Sequence, residues 1–105
     1  MLKSQTITNP EWLHNSHAGE LLVSEFMEPL SLTEDALAVS LSIAPIRLND
    51  VISGKERMDA DLDLRLARYF RMSEGFFLSL QIDYELLEAK RMLNGELDLI
   101  LPRAA

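Results

Sequence analysis

From Gly19 to Met27 the apolar residues Leu21, Leu22, Val23, Phe26 and Met27 recur at helical spacing, while Glu20, Ser24, Glu25 and Glu28 fill the other positions. This pattern predicts an amphipathic helix ending near Pro29. A second helix is expected after Thr33, whose hydroxyl can cap the free amides of EDALAVSL. Glu34 and Asp35 then lie near the positive end of its dipole, and Leu37, Ala38 and Leu41 form its buried stripe. Ala44-Pro45 opens a third helix running to about Ser53, because proline's missing N–H costs nothing in a first turn; Gly54 can close it in the left-handed conformation. Asp59 is the expected cap of a fourth helix with Leu62, Leu64, Leu66, Ala67 and Phe70 on its apolar face.

Ser73 is the expected cap of a fifth helix that carries two stripes, Phe76, Leu80, Tyr84 and Leu87 on one side and Leu78, Ile82, Leu86, Ala89 and Leu93 on the other. The first predicts contact with the core. The second predicts a subunit interface formed by Ile82, Leu86, Ala89 and Leu93, since a small monomer rarely leaves such a patch in water. Asn94-Gly95 signals a turn, after which ELDLILPRAA reads as an added short strand or a strap over a neighbour. Ahead of the first helix, the chain is polar and weakly patterned, with Thr6-Ile7-Thr8 as a short extended piece and Asn9-Pro10 as a turn. The expected division is an N-terminal arm (1–17), one helical domain (18–93) and a C-terminal tail (94–105).

Composition narrows the classes. A chain of 105 residues, 48% hydrophobic, supplies one core and little more. Cysteine is absent, which fits a reducing compartment, and no stretch approaches the roughly 18 apolar residues of a membrane span. A soluble, cytoplasmic protein with no membrane partner is the expectation. The net charge of -7 argues against indiscriminate binding to a polyanion. Segment 31–57 is nearly balanced, with Arg47, Lys55 and Arg57 against Glu34, Asp35, Asp50 and Glu56.

Candidate chemistry is sparse. His14, His17 and Glu20 have a spacing that can gather two imidazoles and a carboxylate, but no further strong ligand completes a metal site. Glu20 is better placed to reach back to the amide of His17 in a capping box. No glycine-rich phosphate loop or nucleophile motif is present, so neither an enzyme, a cofactor nor a small-molecule substrate is indicated. Arg65, Arg68 and Arg71 read as a solvated face paired with Asp61 and Asp63. Phe76 and Phe77 read as core, and Met58 and Met72 as gap-fillers.

Four segments in order, HAGELLVSEF, LTEDALAVSLSIAPIRLNDVISGK, DLRLARYF and FFLSLQIDYEL, together resemble the HigA-type antitoxins, a branch of the phage-repressor-like (XRE) helix-turn-helix family. The likeness runs from about His17 to Leu87. It implies an all-α, five-helix bundle that forms a homodimer, binds a palindromic operator and neutralises a HigB-type ribonuclease toxin. By the same resemblance, Ala44, Pro45, Ile46, Asn49 and Asp50 would face base edges, with Thr33, Arg47, Lys55 and Arg57 near the sugar-phosphate backbone. Ser42 stands in place of the usual turn glycine, at a cost of about 1 kcal/mol if left-handed. Ile46 stands where relatives often carry arginine, and Glu34 where phage repressors often carry a neutral amide. The alternative readings are a stand-alone XRE regulator and an interaction module that keeps the fold but has lost DNA binding.

Overall fold

The computed structural model of the chain describes residues 14–104. The expected extended piece Thr6-Ile7-Thr8 and the turn at Asn9-Pro10 lie outside them. Helix α1 starts in α geometry at Ala18–Leu21, continues as a π-helix over Leu22–Met27 and ends in a 3-10 turn, Glu28–Leu30. Its cap is the expected box: His17 Nδ1 accepts from the amides of Gly19 and Glu20, and Glu20 Oε1 accepts from the amide of His17 at 3.1 Å. The π stretch has a packing reason. Leu22 and Met27 are five residues apart, and the i to i+5 repeat of π geometry keeps both on the buried side.

Helices α2 (Glu34–Leu41), α3 (Pro45–Ile52), α4 (Ala60–Phe70) and α5 (Phe76–Leu93) follow. Thr33 Oγ1 caps α2 through the amide of Ala36, and Asp59 Oδ1 caps α4 through that of Leu62. The core gathers Leu22, Leu37, Leu48, Met58, Leu62 and Phe77, around which Phe26 stacks against Phe77 and Phe70 at ring separations of 5.0 and 5.1 Å. Ahead of α1, Asn15 Nδ2 donates to Tyr84 O and to Glu88 Oε2, both at 3.0 Å, tying the chain's entry to α5.

Five expectations are corrected. Ser73 does not cap α5 with its side chain; only its carbonyl takes part, accepting from the amide of Phe76. The cap comes instead from Asp63 of α4, whose two oxygens accept from the amides of Gly75 (2.6 Å) and Leu78 (2.9 Å). Asp63 is therefore not a surface partner of the arginines but is buried, at 2% exposure. Leu64, assigned to the apolar face of α4, is half exposed. The α5 residues most deeply inside are Phe77 and Gln81, one position on from the expected Phe76 and Leu80 stripe, which packs at the edge of the core. Gln81 is accommodated because Oε1 accepts from the amide of Met58 and Nε2 donates to Glu85. Finally, the tail forms no strand among the described residues. Asn94 and Gly95 both take positive φ and turn the chain into a 3-10 helix, Glu96–Leu99, closed by amide–carbonyl bonds of Asp98 to Gly95 and Ile100 to Leu97. No helix among the described residues is long and apolar enough to cross a membrane.

Candidate nucleic-acid interface

The turn between α2 and α3 depends on Ser42, which adopts the left-handed conformation (φ 58°, ψ 44°) expected at that point. The amide of Ile43 returns to Ala38 O at 3.0 Å, and Arg65 of α4 donates to Leu41 O at 2.8 Å, so the end of α2 is satisfied from two sides. Arg65 is thus committed to the turn and to Asp61 at 2.6 Å.

Helix α3 leaves this turn at Ala44 and has two faces. Leu48 and Val51 are buried, and behind Val51 the chain meets α1 at Gly19, where a methyl group would overlap the Val51 carbonyl oxygen. Only glycine permits that approach. The outer face presents Ala44, Pro45, Ile46 and Asn49, all exposed, with Ile46 at 65% exposure. These four candidates do come together along one edge; Asp50 is half-buried beside them. Its carbonyl accepts from Ser53 Oγ and from the amide of Glu56, folding the following loop over the end of α3.

The polar candidates are engaged within the chain. Asn49 Nδ2 donates to Glu34 Oε1 at 2.9 Å. Arg47 bridges Asp59 (3.1 Å) and Asp61 (3.2 Å). Arg57 makes two bonds to Glu85, at 2.7 and 3.1 Å. Thr33 spends its hydroxyl oxygen on the helix cap. Of the three cations, Lys55 alone has no hydrogen bond or ion pair among the described residues.

Electrostatics follow these contacts. The Arg57 hydrogen bond, with help from Gln81, holds Glu85 below the usual glutamate range, and Glu85 in turn raises Arg57. Asp61 is lowered chiefly by its hydrogen bond from Arg65 and then by Arg47. Glu20 is lowered mainly by the backbone amide of His17. His14 Nε2 also reaches Glu20 at 3.1 Å, so the three residues weighed as a metal cluster are joined as a cap. No arrangement of three or more His, Cys, Asp or Glu able to hold a metal occurs among the described residues.

Asp59 and Glu85 as holders of Arg47 and Arg57 were not anticipated; Asp61 pairs with Arg65 as expected but also takes Arg47, whereas Arg68 and Arg71 pair with neither Asp61 nor Asp63. Asp59 carried a signal as a cap, but Glu85 lies 28 residues from Arg57 with nothing local to link them. His17 joins the same region: a Cβ on Gly54, whose φ is +85°, would sit 3.1 Å from His17 Nε2, and the imidazole meets Tyr84 edge-on at 5.8 Å.

No protein-family model matches the chain. It is 34% identical over 86 residues, 82% of this chain and 79% of the relative, to virulence-associated protein I of Dichelobacter nodosus. Among solved structures it is similar to a Pseudomonas aeruginosa protein in complex with its operator DNA, at a TM-score of 0.81 and 31% identity, covering 88% of this chain and 98% of the other. It is likewise similar to the Pseudomonas aeruginosa antitoxin HigA with the higBA promoter, at a TM-score of 0.77 and 28% identity over 88% of this chain and all (100%) of that one.

Proposed function

The chain belongs to the HigA-type branch of the phage-repressor-like helix-turn-helix family, and on that premise we propose that it is an autorepressing antitoxin. As a homodimer it binds a palindromic operator through α3, and as an antitoxin it neutralises a HigB-type toxin protein. The observation that carries DNA binding is the exposed edge of α3, where Ala44, Pro45, Ile46 and Asn49 stand clear of the core in a fold whose solved relatives hold operator DNA. At that edge Asn49 pairs with adenine, Ile46 meets a thymine methyl and Asp50 accepts from cytosine N4, with Thr33, Arg47, Lys55 and Arg57 flanking the phosphates. The dimer uses the outer stripe of α5, Ile82, Leu86, Ala89 and Leu93.

Toxin capture is supported by charge. A net charge of -7 steers and covers a basic partner, while DNA needs only a local set of cations. Two measurements test the two halves. Fluorescence anisotropy with the chain's own promoter and a scrambled duplex should show preference for the promoter; no binding at low salt leaves an interaction module. Co-expression with a neighbouring toxin gene should rescue growth and yield a complex on purification. Promoter binding without rescue leaves a stand-alone regulator.

A further inference from the structure

An open cleft of about 660 Å³ lies between α2 and α4 and includes Leu41, Leu64, Arg65, Arg68, Tyr69 and Arg71. Leu64 and Tyr69 are apolar side chains left open to solvent. The guanidinium groups of Arg68 and Arg71 make no hydrogen bond or ion pair among the described residues, whereas those of Arg47, Arg57 and Arg65 are each tied to a carboxylate. Glu74 also lines the cleft, leaving two uncommitted guanidinium groups against one carboxylate. A cationic, part-apolar cleft on so acidic a protein calls for an acidic, apolar occupant.

One segment of the same chain has that chemistry. Glu96 to Leu101 reads ELDLIL, with Glu96 and Asp98 interspersed among Leu97, Leu99, Ile100 and Leu101. Leu99 and Leu101 are 81% and 85% exposed, too apolar to be left in water without a cover. As folded, with its 3-10 turn at Glu96–Leu99, the tail starts far from its own cleft. Glu74 of the cleft sits just before the start of α5 at Phe76, while the tail leaves the far end of that 18-residue helix, roughly 27 Å away at 1.5 Å per residue. Antiparallel pairing of two α5 helices about a two-fold axis removes the distance, because it sets the C-terminal end of one helix beside the N-terminal end of the other.

We infer that segment 96–101 of a second copy docks into the α2–α4 cleft, its leucines against Leu64 and Tyr69 and its carboxylates on Arg68 and Arg71. This rests on the α5 dimer of the proposed function and adds to it a reciprocal strap. The tail is then an interface element, and each cleft is filled only by the partner.

The absence of cysteine makes the test direct. A full-length Ser40→Cys chain, with its cysteine in the cleft, is mixed under mild oxidation with a mass-tagged Pro102→Cys chain, with its cysteine just beyond the docked segment. A disulfide-linked heterodimer should form at least fivefold faster than with Ser31→Cys, outside the cleft. Adding Arg68→Glu and Arg71→Glu to the Ser40→Cys chain should lower the yield at least fivefold, with helicity unchanged by circular dichroism. Light scattering on the same samples separates the two levels. A dimer that does not link overturns the docking and leaves the α5 interface standing; a monomer overturns both. Linking that survives the charge reversal overturns recognition by the arginines.

Discussion

Asn49 of α3 donates to Glu34 of α2 at 2.9 Å, so the amide on the outer edge of the helix-turn-helix is held in place by a carboxylate. Glutamine at position 34 can still accept that bond through its oxygen but carries no charge towards a phosphate. Glu34→Gln should therefore tighten binding to promoter and scrambled duplexes alike. Asn49→Ala should weaken the promoter complex by about 1–3 kcal/mol and leave the scrambled one nearly unchanged. Anisotropy titrations of both variants decide it: equal weakening of both duplexes by Asn49→Ala removes the base-reading role.

Exposed ion pairs are worth roughly 0–1 kcal/mol, so phosphates should draw Arg47 and Arg57 away from Asp59, Asp61 and Glu85. Together with Lys55, a dimer then neutralises about six phosphates and log K should fall with log[salt] at a slope of roughly -5. If the pairs hold, Lys55 alone acts and the slope is nearer to about -2. Glu85→Gln frees Arg57 and should tighten binding by about two- to fivefold without altering promoter preference.

Asp63 caps α5 from within the protein, and its removal leaves the amides of Gly75 and Leu78 without partners. Asp63→Ala should cost roughly 2–4 kcal/mol in urea denaturation, whereas Ser73→Ala should stay within about 0.5 kcal/mol. A larger loss from Ser73 than from Asp63 would reverse the assignment of the cap.

Glu20 and Glu85 both have carboxyl groups held below the ordinary glutamate value of 4.5. A carboxylate whose pKa is depressed on folding stabilises the native state above its unfolded pKa, and that contribution disappears as pH falls through the lower, folded value. The urea midpoint should thus change little between neutrality and about pH 5, then drop on further acidification. Glu20→Gln should lower the neutral midpoint and make the acid decline shallower. An acid decline unchanged by Glu20→Gln would show that this cap does not contribute to it.

Caps that act within three residues were legible before any coordinates: His17 with Glu20, Thr33 with Ala36, and Asp59 with Leu62. The resemblance marked Ser42 as standing where a turn glycine is usual, and the left-handed conformation found there meets that condition. Asp63 was not legible, since its partners lie 12 and 15 residues on and its neighbours Asp61 and Arg65 make it look like surface charge. The register of α5 was misread by one position because its deepest residues include Gln81, which hydrophobic periodicity counts as polar. At the α3 edge, the candidate positions came from the resemblance to the family, while their carboxylate partners are long-range and carry no local pattern.

The seat of α3 on Gly19 uses backbone and the inward residues Leu48 and Val51, whereas Ile46 and Asn49 contribute nothing to it. In the proposed DNA complex, reading and seating thus occupy opposite sides of one short helix. Under that proposal the outer residues can change, and with them the operator vocabulary, without renegotiating how the helix is mounted. Position 19 has no such freedom: any side chain there drives its Cβ into the backbone of the mount at Val51.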